Sequence, residues 1–297
     1  MKLLVLGSEG NLGGQILKIF SQNKNYDITA WDKDDVDITD KELIQKKIKD
    51  LKPDIIINTV GYNAVDKCEE DDDEYDLAKK INIDAPRYLA EVSLEVKSIF
   101  VHYSSDYVFG GNVNTKEIIK KGGYSEEDEV SPVNRYGKTK AIGEKQLIQL
   151  SGKGLKWYLI RPSKLFGPKG KSEITKLSFF DLILNLSKEK KVLDLVDEEI
   201  SCFTYTLDLA VATKKLIEDN SGYGIYHITN SEPATWYESG IEMFKILNED
   251  IKINAVSGDK FSRPAKRPNY SVLKNTKLNP LRSWKEALEE YLLKNKI

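Results

Sequence analysis

Leu3-Leu4-Val5-Leu6-Gly7-Ser8-Glu9-Gly10-Asn11-Leu12-Gly13 opens the chain with a short apolar run, a glycine-punctuated turn and the start of a helical pattern. Leu12, Ile16, Ile19 and Phe20 are spaced to share one helix face. Glycines in such a turn permit the sharp bend, bring the backbone close to a pyrophosphate and let the helix pack on the strand. The phosphates then meet free N–H groups at the helix N-terminus. The spacing is GxxGxxG rather than GxGxxG, and glycines alone are a weak signal. Strand, turn, helix and a later acid together are a strong one. That acid is Asp32, at the end of the second apolar run, where a carboxylate can accept from both hydroxyls of an adenosine ribose. A carboxylate there also repels a 2′-phosphate. NAD(H) is therefore the preferred cofactor, with Lys33 softening the preference and NADP(H) left open.

The pattern continues outward. Leu3–Leu6, Ile28–Trp31, Ile55–Ile57, Ile99–Val101 and Trp157–Ile160 are apolar without alternation, as strands buried on both faces are. Helical segments separate them, which implies right-handed crossovers and a parallel sheet covered on both sides. The expected fold is α/β, a doubly wound parallel sheet of the Rossmann type with a smaller C-terminal substrate lobe. Residues 1–166 form the dinucleotide-binding domain, and 205–229 return to it through a helix over Thr206–Glu218 and a strand at Tyr226–Ile228. Residues 167–204 and 230–297 form the substrate lobe, which includes the Pro-bearing stretch Arg263-Pro264-Ala265-Lys266-Arg267-Pro268. The acidic stretch from Glu69 to Asp76 reads as a solvated helix start, where carboxylates favour the positive end of the dipole.

Composition narrows the class. The chain has 297 residues, with 45 Lys+Arg against 47 Asp+Glu, and a net charge of −2 gives no reason to expect a nucleic-acid or membrane partner. Gly7 and Ser8 cut the first apolar run well short of a secretion-signal core. Cys68 and Cys202 are isolated and His102 and His227 are too few for most metal clusters, so no metal site is expected. Both histidines read as core residues. A cytoplasmic protein with a small-molecule substrate is the working class.

Asn134-Arg135-Tyr136-Gly137-Lys138-Thr139-Lys140 has the form of a helix start, with Tyr136 and Lys140 four apart on one face. Hydride delivered to a ketone creates an alkoxide that needs a proton, and a phenol can provide it. An ammonium nearby is expected to favour the phenolate and bring the pair toward neutral pH. Lys140 can also hold the nicotinamide ribose. The strand before this helix, taken as the fifth, ends in His102-Tyr103-Ser104-Ser105-Asp106-Tyr107-Val108-Phe109, at the sheet edge where ligands bind. Ser105 is the candidate for polarising the carbonyl, and Ser104 the better candidate for capping the next turn.

Together these residues resemble the extended short-chain dehydrogenase/reductases, and within them the dTDP-4-dehydrorhamnose reductase family. The likeness runs from Gly7–Gly13 through Asp32, Asn58–Lys67, Ser104–Phe109 and Tyr136–Lys140 to Arg161-Pro162-Ser163, Asp197–Ala210, Ala234–Tyr237 and Arg267-Pro268-Asn269. It implies NAD(P)H-dependent reduction of the 4-keto group of a nucleotide-linked 6-deoxyhexose, and in this family the members are often homodimers. It implies Ser105, Tyr136 and Lys140 as the catalytic set and Asp106 in contact with the sugar. Around the cofactor it places Gly10-Asn11-Leu12, Asp32, Asp37-Ile38, Gly61-Tyr62-Asn63 and Tyr103. Three departures bear on the substrate. Lys164 stands where the family usually has a tryptophan lining the sugar pocket, and could meet a phosphate or carboxylate. Gly110-Gly111 with the long lysine-bearing loop Asn112–Gly123 replaces the family's Asp-Gly, and Cys202-Phe203 replaces Ser-Pro.

Two other readings share these motifs. An epimerase of the same superfamily would keep its cofactor bound through turnover; a dehydratase is disfavoured because Tyr107, not a second carboxylate, follows Asp106. A regulatory NADP-binding subunit resembling the β subunit of methionine adenosyltransferase would have very similar motifs. The intact Ser/Tyr/Lys set ranks the reductase first.

Overall fold

The computed structural model describes residues 1–111 and 114–295. Its strands are β1 (Lys2–Leu6), β2 (Asp27–Trp31), β3 (Ile55–Asn58), β4 (Ile99–Tyr103), β5 (Lys156–Arg161), β6 (Leu165–Phe166), β7 (Val192–Val196), β8 (Thr204–Tyr205), β9 (Gly224–His227) and β10 (Lys252–Val256). The helices are α1 (Asn11–Phe20), α2 (Lys41–Leu51), α3 (Val65–Glu70), α4 (Asp72–Lys79), α5 (Ala85–Val96), α6 (Thr115–Lys120), α7 (Arg135–Ser151), α8 (Phe179–Glu189), α9 (Thr206–Glu218), α10 (Trp236–Leu247) and α11 (Trp284–Asn295).

Six strands form one parallel sheet in the order β2-β1-β3-β4-β5-β9. The chain leaves β1 in one direction for β2 and crosses back to β3 on the other side. The crevice between the C-terminal ends of β1 and β3 is thus the switch point where doubly wound sheets bind ligands. One face is closed by α1 and α9, through Ile16, Phe20, Leu209 and Leu216 packed on Val5, Ile57 and Tyr158. The other is closed by α2, α5 and α7, through Ile44, Leu89 and Leu147 on Leu4, Ile56 and Leu159. Burial on both faces explains why β1, β3 and β5 carry apolar runs instead of alternation.

Two expectations need correction here. Ile28–Trp31 is not buried on both faces: it lies in β2, a strand with partly exposed side chains at the sheet edge, and among the described residues no strand pairs beyond it. The strand ending at the Ser-Ser-Asp segment is β4, the fourth in chain order and not the fifth. Asn112 lies outside the described residues; the rest of its loop contains the short helix α6.

Strands β6, β7, β8 and β10 with α8, α10 and α11 make a second layer around Phe180, Phe203, Met243 and Trp284, while α3 and α4 pack by Tyr62 and Tyr136 and α6 by Phe109 and Tyr124. Here β7 pairs with β10, and β6 with β8. Between the layers, Arg161 is buried with both its Nε and Nη2 donating to Glu144, at 2.9 and 2.6 Å, and its Nη1 against His227. Both histidines are core residues; His102 packs against Phe100 and Asn58. Among the described residues no helix is long and apolar enough to cross a membrane, and no His/Cys/Asp/Glu group could hold a metal.

Candidate active site

The glycine turn takes its shape from steric necessity. Gly7 has φ +76°, and a Cβ on Gly13 would lie 2.0 Å from the Gly7 carbonyl oxygen, so α1 can begin against the turn only with hydrogen at position 13. Gly10 caps α1 without a side-chain acceptor, and the first turn carries no acid. No side chain of the turn itself competes for the first helix amides, as a dinucleotide phosphate requires, although the Gly170 backbone packs against Glu9-Gly10-Asn11 in this structure. Asp32 stands at the end of β2 with Oδ2 accepting from the Glu9 amide at 2.9 Å, which fixes the carboxylate beside the turn. These residues fit the adenosine half of a dinucleotide. Leu12 and Ile38 turn their side chains into the two cores, and Asp37 accepts from Thr39. Asn11 reaches across the crevice, accepting from the Gly170 amide and donating to the Lys176 carbonyl.

At the end of β3, the Gly61-Tyr62-Asn63 loop is tied down by Asn82, a residue the sequence did not single out. The Asn82 side chain accepts from the Tyr62 amide at 3.0 Å and donates to Thr139 Oγ1 at 3.0 Å. It sits in a π-helical stretch, Lys80–Asp84, and irregular turns of this kind frequently occur at functional sites. The Tyr62 hydroxyl donates to Glu74, and the Asn63 carbonyl accepts from Lys176. A Cβ on Gly61 would lie 2.9 Å from Lys140 Nζ, so this loop and α7 meet directly.

Helix α7 delivers the expected pair. The Asn134 side chain caps it by accepting from the Gly137 amide at 2.8 Å. Gly137 lets the first turn pass against the Tyr107 carbonyl, which brings Tyr136 to the end of β4. Tyr136 is buried with Ser105 among its neighbours. Lys140, also buried, donates to the Tyr103 carbonyl oxygen at 3.2 Å. Tyr103 faces the site only through that oxygen; its ring is in the core and its hydroxyl bonds Thr213.

The electrostatics differ from expectation. The Tyr136 phenol is held above its ordinary pKa, with burial as the main cause and the Ser105 hydrogen bond opposing. Burial pushes Lys140 down to about 8, against the pull of Glu144. Desolvation of the buried phenol sets the direction, and Lys140 is not among the groups that shift it. A phenol that keeps its proton at neutral pH suits donation to an alkoxide.

The roles of the two serines are also reversed in part. Ser105, not Ser104, caps the following turn by accepting from the Tyr107 amide at 3.2 Å, while Ser104 Oγ is buried without a hydrogen-bond partner. Asp106 is fully buried. Its Oδ1 accepts from Ser105, and its Oδ2 accepts from Ser163 at 2.8 Å and Ser271 at 2.7 Å. Burial raises its pKa against the pull of these serines. The bonds that Ser163 and Ser271 make to Asp106 had no local sequence signal, since the two serines come from distant parts of the chain. The same holds for Arg267, which pairs through both terminal nitrogens with Asp66 of α3 and so fastens the Arg-Pro segment beside the site.

Lys164 directly follows the Ser163 that bonds Asp106. Its Nζ lies 3.8 Å from the centre of the Trp236 ring and donates to the Glu199 carbonyl oxygen at 3.1 Å. Ser105, Tyr136 and Lys140 thus converge at the C-terminal end of β4, next to the switch-point crevice, with Asp106 and Lys164 on the side facing the second layer.

A family model described as the RmlD substrate binding domain matches residues 1–297. A dTDP-4-dehydrorhamnose reductase of Aggregatibacter actinomycetemcomitans is 33% identical over 304 residues, covering 97% of each chain. Among solved structures, a dTDP-4-dehydrorhamnose reductase of Clostridium acetobutylicum is 36% identical over the whole of both chains, with a TM-score of 0.88. That of Bacillus anthracis, solved in complex with NADP, is 31% identical over 99% of each chain, with a TM-score of 0.87. Fold, convergent side chains and full-length likeness agree, and the chain belongs to the dTDP-4-dehydrorhamnose reductase family of the extended short-chain dehydrogenase/reductases.

Proposed function

We propose that this protein reduces the 4-keto group of a nucleotide-linked 6-deoxyhexose, converting dTDP-4-dehydrorhamnose to dTDP-L-rhamnose with NADH or NADPH. The observation that carries the reading is the convergence of Ser105, Tyr136 and Lys140 beside the switch-point crevice. The bound nicotinamide supplies the hydride. A ketone oxygen seated between the Tyr136 and Ser105 hydroxyls accepts from both, and Tyr136 passes its proton to the alkoxide as charge develops. The raised phenol pKa keeps that proton in place at neutral pH. Lys140 holds the cofactor ribose and places positive charge near the phenolate left after transfer.

Ser105 gives its own proton to Asp106 in this structure, so it must turn toward the ketone to polarise it. Asp106 keeps two serine donors when that happens, which lowers the cost of the turn. Asp32 favours NADH over NADPH, and the working protein is a cytoplasmic homodimer. The test is cofactor oxidation followed at 340 nm across a panel of 4-keto nucleotide sugars. Turnover of dTDP-4-dehydrorhamnose is expected, and absence of oxidation with every ketone would remove the reading.

A further inference from the structure

We propose that Lys164 recognises the diphosphate of the nucleotide-linked substrate, holding one of its anionic oxygens in the aromatic cavity on the Asp106 side of the site. The proposal rests on the reductase reading for the class of substrate, since every such sugar carries a diphosphate. Three independent observations at Lys164 support it. First, the ammonium lies among aromatic faces, over Trp236 at 3.8 Å and Phe203 at 4.9 Å, on the wall of a cavity of about 100 Å³ that Phe166, Leu177 and Phe179 also line. Second, its ammonium donates to the Glu199 backbone oxygen, and among the described residues no carboxylate comes within ion-pair distance of it. A desolvated ammonium with donors to spare is a strong anion receptor. Third, Lys164 has φ +35°, a left-handed backbone that costs a lysine free energy and that proteins retain at functional positions.

The surroundings are built to hold this arrangement. Glu199 accepts from Trp236 Nε1 at 3.0 Å and from Arg263 Nη2 at 2.5 Å, so its side chain is occupied while its carbonyl orients the lysine. The charged and titratable groups facing Lys164 are Asp106 from the Ser105 turn, Glu199 and Cys202 from the segment before β8, and Glu238 from α10. Burial outweighs them and holds the amine down to about 7. Affinity for a diphosphate that depends on Lys164 is therefore present below that pH and lost as pH rises through it.

The probe is dTDP-glucose, which has no ketone to reduce and whose diphosphate diester stays fully ionised from pH 6 to 9. Binding is measured calorimetrically on protein saturated with NADPH, for wild type, Lys164→Asn and Lys164→Arg. Asparagine tolerates the left-handed backbone and keeps the fold testable. At pH 6 the asparagine variant is expected to bind about 10-fold or more weakly, the worth of one charge-assisted hydrogen bond. The gap should close toward pH 9. The arginine variant should bind within a few-fold of wild type at pH 6 and lose the pH step. Equal affinity of wild type and Lys164→Asn at pH 6, or the same pH step in both, overturns the proposal. A purely structural lysine would change melting temperature and leave these binding curves alone. Failure of the reductase reading is distinguishable, because it would show as no oxidation of cofactor by 4-keto sugars while dTDP-glucose still bound through Lys164.

Discussion

The Ser105 hydroxyl donates to the carboxylate of its own neighbour, Asp106, across 3.1 Å. Two further serines, Ser163 and Ser271, donate to the other carboxylate oxygen, so one buried acid joins the end of β4, the segment after β5 and the C-terminal segment. Asp106 thereby acts through Ser105 as a positioning residue. Asp106→Asn replaces one of the two acceptor oxygens by an NH2 donor, leaves the serines one acceptor short and should misplace the Ser105 hydroxyl. A loss in kcat of about 10- to 100-fold is expected, the usual scale for small misplacement of a reacting group. Dinucleotide affinity should hold, and parallel losses in kcat and cofactor binding would indicate a general structural defect instead.

Tyr136→Phe removes the proton donor and keeps the ring that packs edge-on against Tyr107. Turnover should fall on the order of 10²-fold or more. Steady-state rates with saturating ketone sugar and cofactor provide the check, and near-normal turnover would take the proton-transfer role from Tyr136.

Asp32 is fixed beside the glycine turn by the Glu9 amide, at the place where an adenosine ribose would lie. Asp32→Ala should weaken NADH more than NADPH, because it removes the ribose acceptor from the first and a repulsion from the second. Fluorescence titration of both cofactors measures this, and equal losses would undo the ribose assignment.

His227 couples stability to pH. Burial first, and the Arg161 charge second, hold its imidazole down to about 4. The unfolded chain binds the proton near 6.5, so the stability contributed by neutral His227 is present above that pH and is lost as pH falls toward 4. His227→Gln keeps a donor and an acceptor without the titration. Melting temperatures measured at pH 7 and pH 5 should fall with pH less steeply in the variant than in wild type, and identical slopes would count against His227 as the source.

Much of the site could be read along the chain because its signals are local. The glycine turn, the capped start of α7 and the Tyr136–Lys140 spacing each depend on residues within one turn or one helix, where backbone geometry ties sequence distance to spatial distance. The apolar runs of β1, β3, β4 and β5 were legible because burial on both faces leaves no alternation to misread. Ile28–Trp31 gave the same apolar impression from an edge position, since composition does not record whether a neighbour strand exists.

The sequence by itself therefore determined the doubly wound sheet, the glycine turn before α1 and the placing of Tyr136 and Lys140 one turn apart on α7. Tertiary structure alone decided the company those groups keep. Asp106 gathers serines from three segments, Asn82 ties the Tyr62 loop to α7, and Lys164 rests on Trp236. It also set the direction of the Tyr136 pKa, because the cost of burying a phenolate depends on everything packed around it, and most of that comes from far along the chain.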